Sequence, residues 1–167
     1  SQEDSFFITT KRSSYGIINK FSYYYDVALV EDLIDKGARA NSPDAEIAYY
    51  EDAIKVYRGD FLADDLDSEW ILKERKRLRE RFIEIASKVI EYYYKQDRYQ
   101  EAIKLINKVL ESNQYFEKAY LYKMKSYYKL GRRERAIKVY KDYDRIIKDE
   151  LKLDSRQDIE NYYNKII

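Results

Sequence analysis

Segments of this chain return at a fixed step. Tyr93-Tyr94-Lys95 comes back as Tyr127-Tyr128-Lys129, and Ala102-Ile103-Lys104 as Ala136-Ile137-Lys138, each 34 residues on. A further echo, Ala53-Ile54-Lys55-Val56-Tyr57, recurs unchanged at Ala136 to Tyr140. A step of this size means that one small unit has been copied, and that no copy can bury its apolar face without a neighbour. Inside the copies the apolar residues fall at helical spacing: Tyr99, Ala102, Ile103, Ile106 and Val109, then Ala136, Ile137, Tyr140, Tyr143, Ile147 and Leu151. A longer stripe through Ile71, Leu78, Phe82, Ile85, Val89 and Tyr93 predicts one long helix. Boundary residues agree with these stripes. Ser42 before Pro43 reads as an N-cap with proline at the first helical position. Asp97 with Gln100 three residues later reads as a capping box, and Gly131 stands where a left-handed residue ends a helix. The spacing predicts seven helices, over 26–38, 43–58, 68–95, 98–112, 115–130, 132–150 and 155–166.

A period of 34 residues built from two antiparallel helices is that of tetratricopeptide repeats. The expected fold class is therefore mainly α, an antiparallel helix-pair superhelix with a concave and a convex face. The pair 26–38 and 43–58 reads as a diverged first copy, and Ala102 and Ala136 sit where paired helices must approach closely. Residues 1–25 read differently. Phe6-Phe7-Ile8-Thr9-Thr10 and Tyr15-Gly16-Ile17-Ile18 flank Lys11-Arg12-Ser13-Ser14, a short β-hairpin signal. An isolated hairpin is marginal in water, so this one is expected to lean on helices or to be the remnant of a larger sheet. The organisation predicted is a remnant hairpin at 1–25 and a helical repeat domain at 26–167.

Composition narrows the chemistry. There is no Cys and no His, which removes disulfides, thiolate metal sites, the Cys nucleophile and the commonest general base. Gly59 and Gly131 stand alone, so no glycine loop cradles a phosphate, and no carboxylate pair falls at a metal-loop spacing. The expectation is a protein that is not an enzyme, with no catalytic residue, no cofactor and no metal. No apolar run is long enough to span a bilayer and no signal peptide opens the sequence; the cytoplasm is the expected compartment and no membrane partner is expected. Ser1 opens the sequence and Met124 is its only methionine, which reads as a piece of a longer protein.

Net charge is +1, from 32 basic and 31 acidic residues, so any attraction to an anionic partner must come from a local patch. Asp44 to Glu69 holds nine acids and two bases, whereas Lys73 to Arg81 holds six bases and two acids. Lys73, Arg77 and Arg81 recur at i, i+4 and i+8, roughly opposite Leu78 and Phe82. Like charges at that spacing repel by a few tenths of a kcal/mol per pair, so either the acidic stretch Asp60–Asp67 or an external anion is expected to neutralise them. Arg132, Arg133 and Arg135 open a predicted helix, where positive charge opposes the helix dipole. These six cations are the candidate partner-binding residues, with solvated surface charge as the alternative. The 20 tyrosines, often in tandem, are expected chiefly to pack between helices, with some rings left facing outward.

The stretch Tyr57-Arg58-Gly59-Asp60-Phe61-Leu62, then Glu69-Trp70 and Arg75 to Leu78, resembles the signature of the bacterial transcriptional activation domain, the helical domain of SARP-like activators. Ala102-Ile103, Glu117-Lys118-Ala119 and the run from Gly131 to Tyr140 are similar to its downstream repeats in order and spacing. The resemblance implies structural roles for Tyr57, Gly59, Asp60, Phe61, Leu62, Trp70, Ala102, Gly131 and Ala136. Gly59 permits a sharp turn, after which Phe61, Leu62 and Trp70 are expected to plug the join to the long helix. In this family the domain follows a winged helix, and Thr9 to Ile17 looks like the last hairpin of one. The resemblance thus implies a regulatory module of a transcriptional activator. Its partners would be itself, as a homodimer, or RNA polymerase, and DNA would be read by a winged-helix domain whose recognition helix lies upstream of Ser1. Where the family has Gly and Pro after the last long helix, this chain has Lys152-Leu153-Asp154-Ser155. The rival reading is a stand-alone tetratricopeptide adaptor that takes a peptide or protein in its concave groove.

Overall fold

The computed structural model describes residues 7–11, 14–18, 20–57 and 69–167, with side chains from 26 to 57 and from 69 onward. Gly59, Asp60, Phe61 and Leu62, and the acidic stretch Asp60–Asp67, lie outside the described residues. The chain divides into two units, Ser1–Leu78 and Arg79–Ile167.

In the first unit, β1 (Phe7–Lys11) pairs antiparallel with β2 (Ser14–Ile18), Phe7 opposite Ile18 and Thr9 opposite Gly16. Helix α1 (Lys20–Ala38) begins six residues before the predicted start at 26. Tyr23 to Tyr25 favour strand only weakly, since β-propensity spans about 1 kcal/mol and yields to context. Helix α2 (Pro43–Val56) starts as its sequence dictates: Pro43 occupies the first turn and Ser42 Oγ accepts the Ala45 N–H at 3.2 Å. The two helices pack together, burying Val30 and Ile34 of α1 and Ile47, Tyr50, Ala53 and Ile54 of α2. Close approach is set by Gly37. A Cβ there would stand 2.5 Å from Cε1 of the Tyr50 ring, so only glycine fits. The first residues of α3 (Glu69–Lys95) bury Ile71, Arg75 and Leu78 on one stripe.

The second unit holds the rest of α3, then α4 (Tyr99–Ser112), α5 (Glu117–Lys129), α6 (Arg133–Ile146) and α7 (Gln157–Ile166). Seven α-helices thus stand among the described residues, as the spacing predicts. α4 packs on α5, α5 on α6, and α7 on both α5 and α6. Phe82, Ile85, Ala86, Val89 and Ile90 form the α3 face, and Ala102, Ile106 and Val109 that of α4. Ala102 and Ala136 are fully buried. Tyr120, Met124, Ala136, Val139, Tyr143, Ile147, Ile159 and Ile166 gather into one cluster. At roughly 1.5–3 kcal/mol for each large side chain taken from water, such clusters supply most of the stability of a repeat.

Three further boundaries depart from the sequence reading. Asp97 and Gln100 form no capping box: Arg98 is the N-cap of α4, without a side-chain cap bond. Asp97 has φ 57° and closes α3 instead, with the Arg98 N–H reaching the Tyr93 carbonyl at 2.8 Å. The sequence offers the same S/T/D/N-x-x-E/Q pattern either way; a left-handed residue here removes the cap. The predicted helix 132–150 ends as α6 at Ile146 and continues as a π-helical turn, Ile147–Leu151. Lys152, with φ 55°, then takes a left-handed position that side chains other than glycine's rarely adopt. Finally, Ser155 does not open α7; its hydroxyl donates to Asp144 at 2.6 Å, and Arg156 is the N-cap.

Candidate functional site

The predicted cation ladder starts in the first unit. Lys73 is exposed and pairs with Glu69 of its own helix at 2.8 Å. Arg77 is committed: its guanidinium forks onto Glu74, with Nε to Oε2 at 3.0 Å, and its third nitrogen meets Glu31 of α1 at 2.6 Å. The hydrogen bond from Arg77 holds the Glu74 carboxyl below its usual range, and the same pairing raises the guanidinium. The neutralising groups seen are therefore Glu69, Glu74 and Glu31, which the sequence reading did not single out. Arg81, half-buried, follows one turn later in the second unit. Arg75 was missed as a core position. It is 7% exposed, and its place between Ile71 and Leu78 on the apolar stripe was the available signal. Trp70 is 51% exposed; the loop expected to cover it lies in 58–68, outside the described residues.

The second cation group divides by task. Arg132 is exposed at the N-cap of α6. Arg133 turns its Nε to the Ile166 carbonyl at 2.6 Å and a second nitrogen to the Ile167 carbonyl. It so neutralises the negative end of α7, where a helix leaves carbonyls without partners. Arg135 lies 5.9 Å from the Tyr127 ring centroid. No described group of three or more acidic side chains is arranged to hold a metal ion.

A groove of about 760 Å³ lies in the second unit beside α5. Its floor is apolar: Tyr143 and Ile147 are buried, and Phe116 and Leu121 line its wall. Its lip is apolar too, with Tyr115 40%, Leu151 39% and Leu153 59% exposed. Two contacts build that lip. The Tyr115 hydroxyl donates to Glu150 Oε2 at 2.7 Å and the Gln114 amide reaches the same oxygen at 2.9 Å, so the α4–α5 turn is tied to the π-helical turn. Charges on the walls are largely paired. Lys118 meets Glu91, and Arg156 meets Glu117 at 3.3 Å. Burial pushes the Glu117 carboxyl up, against the opposing pull of Arg156.

A file of tyrosines crosses the same region. Tyr94 meets Tyr99 at 5.4 Å and Tyr122 at 5.5 Å, both edge to face, and Tyr128 meets Tyr162 at 6.4 Å. Between Tyr122 and Tyr162 stands the Lys125 ammonium, 5.1 and 5.7 Å from the two ring centroids. Burial raises the Tyr94, Tyr122 and Tyr162 hydroxyls, the last to about 12. Among the described side chains most tyrosines are thus buried or half-buried, while Tyr49, Tyr115 and Tyr128 face outward.

These helix pairs, with equivalent turns one period apart, define a tetratricopeptide-like repeat protein. Among the solved structures that share the fold are these two. One is the C-terminal tetratricopeptide-containing domain of an FK506-binding protein of Plasmodium falciparum, at 20% identity and a TM-score of 0.59, covering 86% of this chain and 89% of that one. The other is Mycobacterium tuberculosis EmbR, solved in complex with a low-affinity phosphopeptide, at 17% identity and a TM-score of 0.67; 95% of this chain matches 42% of that one. No curated protein matches the chain. Residues 25–167 match the bacterial transcriptional activator domain, and the chain belongs to that family. It is thereby a regulatory domain of the transcriptional activator class. Among the described residues no helix is long and apolar enough to cross a membrane.

Proposed function

We propose that residues 26–167 are the contact domain of a bacterial transcriptional activator, acting in the cytoplasm through self-association or contact with RNA polymerase. DNA would be read by a winged-helix domain of which residues 1–25 are the last hairpin. The observation that carries this reading is the family match over 25–167; the antiparallel pairing of Phe7–Lys11 with Ser14–Ile18 accords with the hairpin. The domain works by presenting charged surface and performs no reaction. Of the six candidate cations, Lys73 of the first unit, whose partner Glu69 is itself exposed, and Arg132 of the second each present an exposed cation to an acidic partner, whereas Arg77 is held by Glu31 and Glu74 and Arg133 by α7.

The test fuses the 167-residue chain to a heterologous DNA-binding domain and reads a bacterial reporter. Activation is expected, and Lys73→Glu with Arg132→Glu should lower it several-fold while circular dichroism and melting stay unchanged. Undiminished output from the double variant removes these cations from the interface, and an inert fusion removes the reading.

A second reading, the peptide-binding adaptor, is favoured by the groove beside α5. An inert fusion that still captures peptides in the groove would select it.

A further inference from the structure

We propose that the outer face of α6 lies along the phosphate backbone of duplex DNA and holds it without reading its sequence. The inference goes beyond the protein contacts proposed above, because it gives this chain a nucleic-acid contact of its own.

Arg133, Glu134, Arg135, Lys138, Lys141 and Arg145 are the exposed residues of α6, and Glu134 is the one acid among them. Arg133 is taken up by the end of α7; the other four cations are not. Lys138 and Lys141 make no ion pair among the described residues. Arg145 meets Asp142 at 3.5 Å with both side chains open to water, a pairing of little strength, and Arg135 lies 5.9 Å from the Tyr127 ring centroid. At 3.6 residues per turn, Lys138, Lys141 and Arg145 fall within about 60° of one another around the helix, and Arg135 about 60° beyond. Each step along this row sets like charges three or four residues apart, where they repel by a few tenths of a kcal/mol.

The repeat does not require that row. One period earlier, on α4, the same four places hold Glu101, Lys104, Asn107 and Glu111, all exposed. The architecture therefore accepts one base and two acids where α6 carries four bases, and the charge of α6 has its reason outside the fold. Its chemistry selects the partner. Protein interfaces have an apolar centre and are poor in lysine, whereas nucleic-acid interfaces are polar and strongly positive. No exposed residue of α6 is apolar, which leaves the helix nothing to sink into a lipid surface either. From Arg135 to Arg145 the helix rises about 15 Å, the advance of roughly four to five nucleotides along one strand of DNA. Each of the four cations can so meet a phosphate of its own. For a chain of a transcriptional activator family, the polyanion at hand is the promoter.

Fluorescein-labelled DNA duplexes of unrelated sequence are titrated with the whole chain by fluorescence anisotropy over a range of KCl concentrations. They should bind alike, and more weakly as salt rises. Writing the α4 residues into α6, Arg135→Glu with Lys141→Asn and Arg145→Glu, should weaken binding at least about tenfold at low salt. It should also reduce the slope of log affinity against log salt by about three, one for each cation removed. Circular dichroism and melting should not change, since the repeat already carries these residues on α4. Lys95→Glu with Lys129→Glu, exposed lysines ending α3 and α5, removes almost as much charge elsewhere and should cost less than about threefold. Absence of binding at low salt, an indifferent α6 variant, or an equal loss in the Lys95 and Lys129 variant overturns the inference. So does tighter binding of an RNA duplex, or self-association in light scattering that the α6 variant abolishes, since each gives the face a different occupant. A fusion that activates the reporter while the α6 variant binds DNA undiminished sinks this inference alone; an inert fusion whose DNA binding still depends on α6 sinks the activator reading alone.

Discussion

At the end of α3, Asp97 adopts φ 57° and the Arg98 N–H bonds the Tyr93 carbonyl at 2.8 Å; at the end of α5, 34 residues on, Gly131 adopts φ 71° and the Arg132 N–H bonds the Tyr127 carbonyl at 2.9 Å. The backbone closes both helices in one way, with the six-to-one and five-to-two bonds of a Schellman turn. Side chains around the two turns share little. Asp97 accepts the Tyr99 hydroxyl, a bond that lifts that phenol to about 12, while a Cβ at Gly131 would touch nothing. The Arg98 guanidinium lies 4.1 Å from the Tyr93 ring, but the equivalent Tyr127 is approached at 5.9 Å by Arg135, from the first turn of the next helix. What a repeat conserves physically is the backbone path and the small residue at the helix crossing. Which side chain covers which ring is solved afresh in each copy.

Four experiments would strain this comparison, the largest effect first. Ala102→Trp and Ala136→Trp place a large ring where the native side chain is fully buried; overpacking costs about 1–3 kcal/mol or more, and for so large a change unfolding is expected at both sites. If thermal melting registers only one of them, the two crossings are not equivalent.

Alkali comes next. Burial raises Tyr94, Tyr120, Tyr122, Tyr140, Tyr143 and Tyr162 above the ordinary phenol value of 10.0, Tyr162 to about 12. A raised folded-state pKa contributes stability that is whole below the unfolded value and is lost as pH rises through the folded one. Melting temperature should therefore fall from about pH 10 upward, with tyrosinate absorbance appearing in step with unfolding. Absorbance that develops fully before unfolding would show that the rings are open to hydroxide.

The turns themselves should answer with opposite signs. Gly131→Ala forces a Cβ into the left-handed region and should cost about 1–2 kcal/mol. Asp97→Gly relieves the same conformation and should gain up to about 1 kcal/mol, less whatever the Tyr99 bond supplied. Chemical denaturation of the two variants measures both; a loss of equal size at each turn would mean that the Asp97 side chain, and not its backbone, sets the joint. The smallest change is expected at Ser126, whose hydroxyl is wholly buried on α5 without a hydrogen-bond partner among the described residues. Its counterpart one period earlier is Tyr92. Ser126→Ala should gain about 1 kcal/mol by removing an unsatisfied polar group, and a loss on denaturation would reveal a bond to that hydroxyl.

Helix number and order were legible because apolar residues recur at 3.6-residue spacing and because Ser42-Pro43 and Gly131 are strong punctuation. The turn at Asp97 was misread for a definite reason. An aspartate before a helix has the same local sequence whether it caps the helix that follows or closes the one that precedes, and only the period aligns it with Gly131. The π-helical turn was hidden because Ile147 and Leu151 also satisfy the α-helical stripe. The six cations were visible as charges, but pairing is a property of three-dimensional neighbours: Glu31 stands 46 residues from Arg77 in sequence, and the carbonyls that hold Arg133 lie 33 and 34 residues ahead. Lys125 went unnoticed among the lysines of α5 because its two flanking rings belong to α5 and α7.

The matched joints have a bearing on length. The segment from Arg98 to Gly131 starts just past one left-handed residue and finishes on the other, so a tandem copy spliced after Gly131 would meet, at each end, a junction of the kind already present. An array of this type grows by whole cassettes with the seam chemistry unchanged, and longer versions of the domain are accessible by duplication of that one stretch.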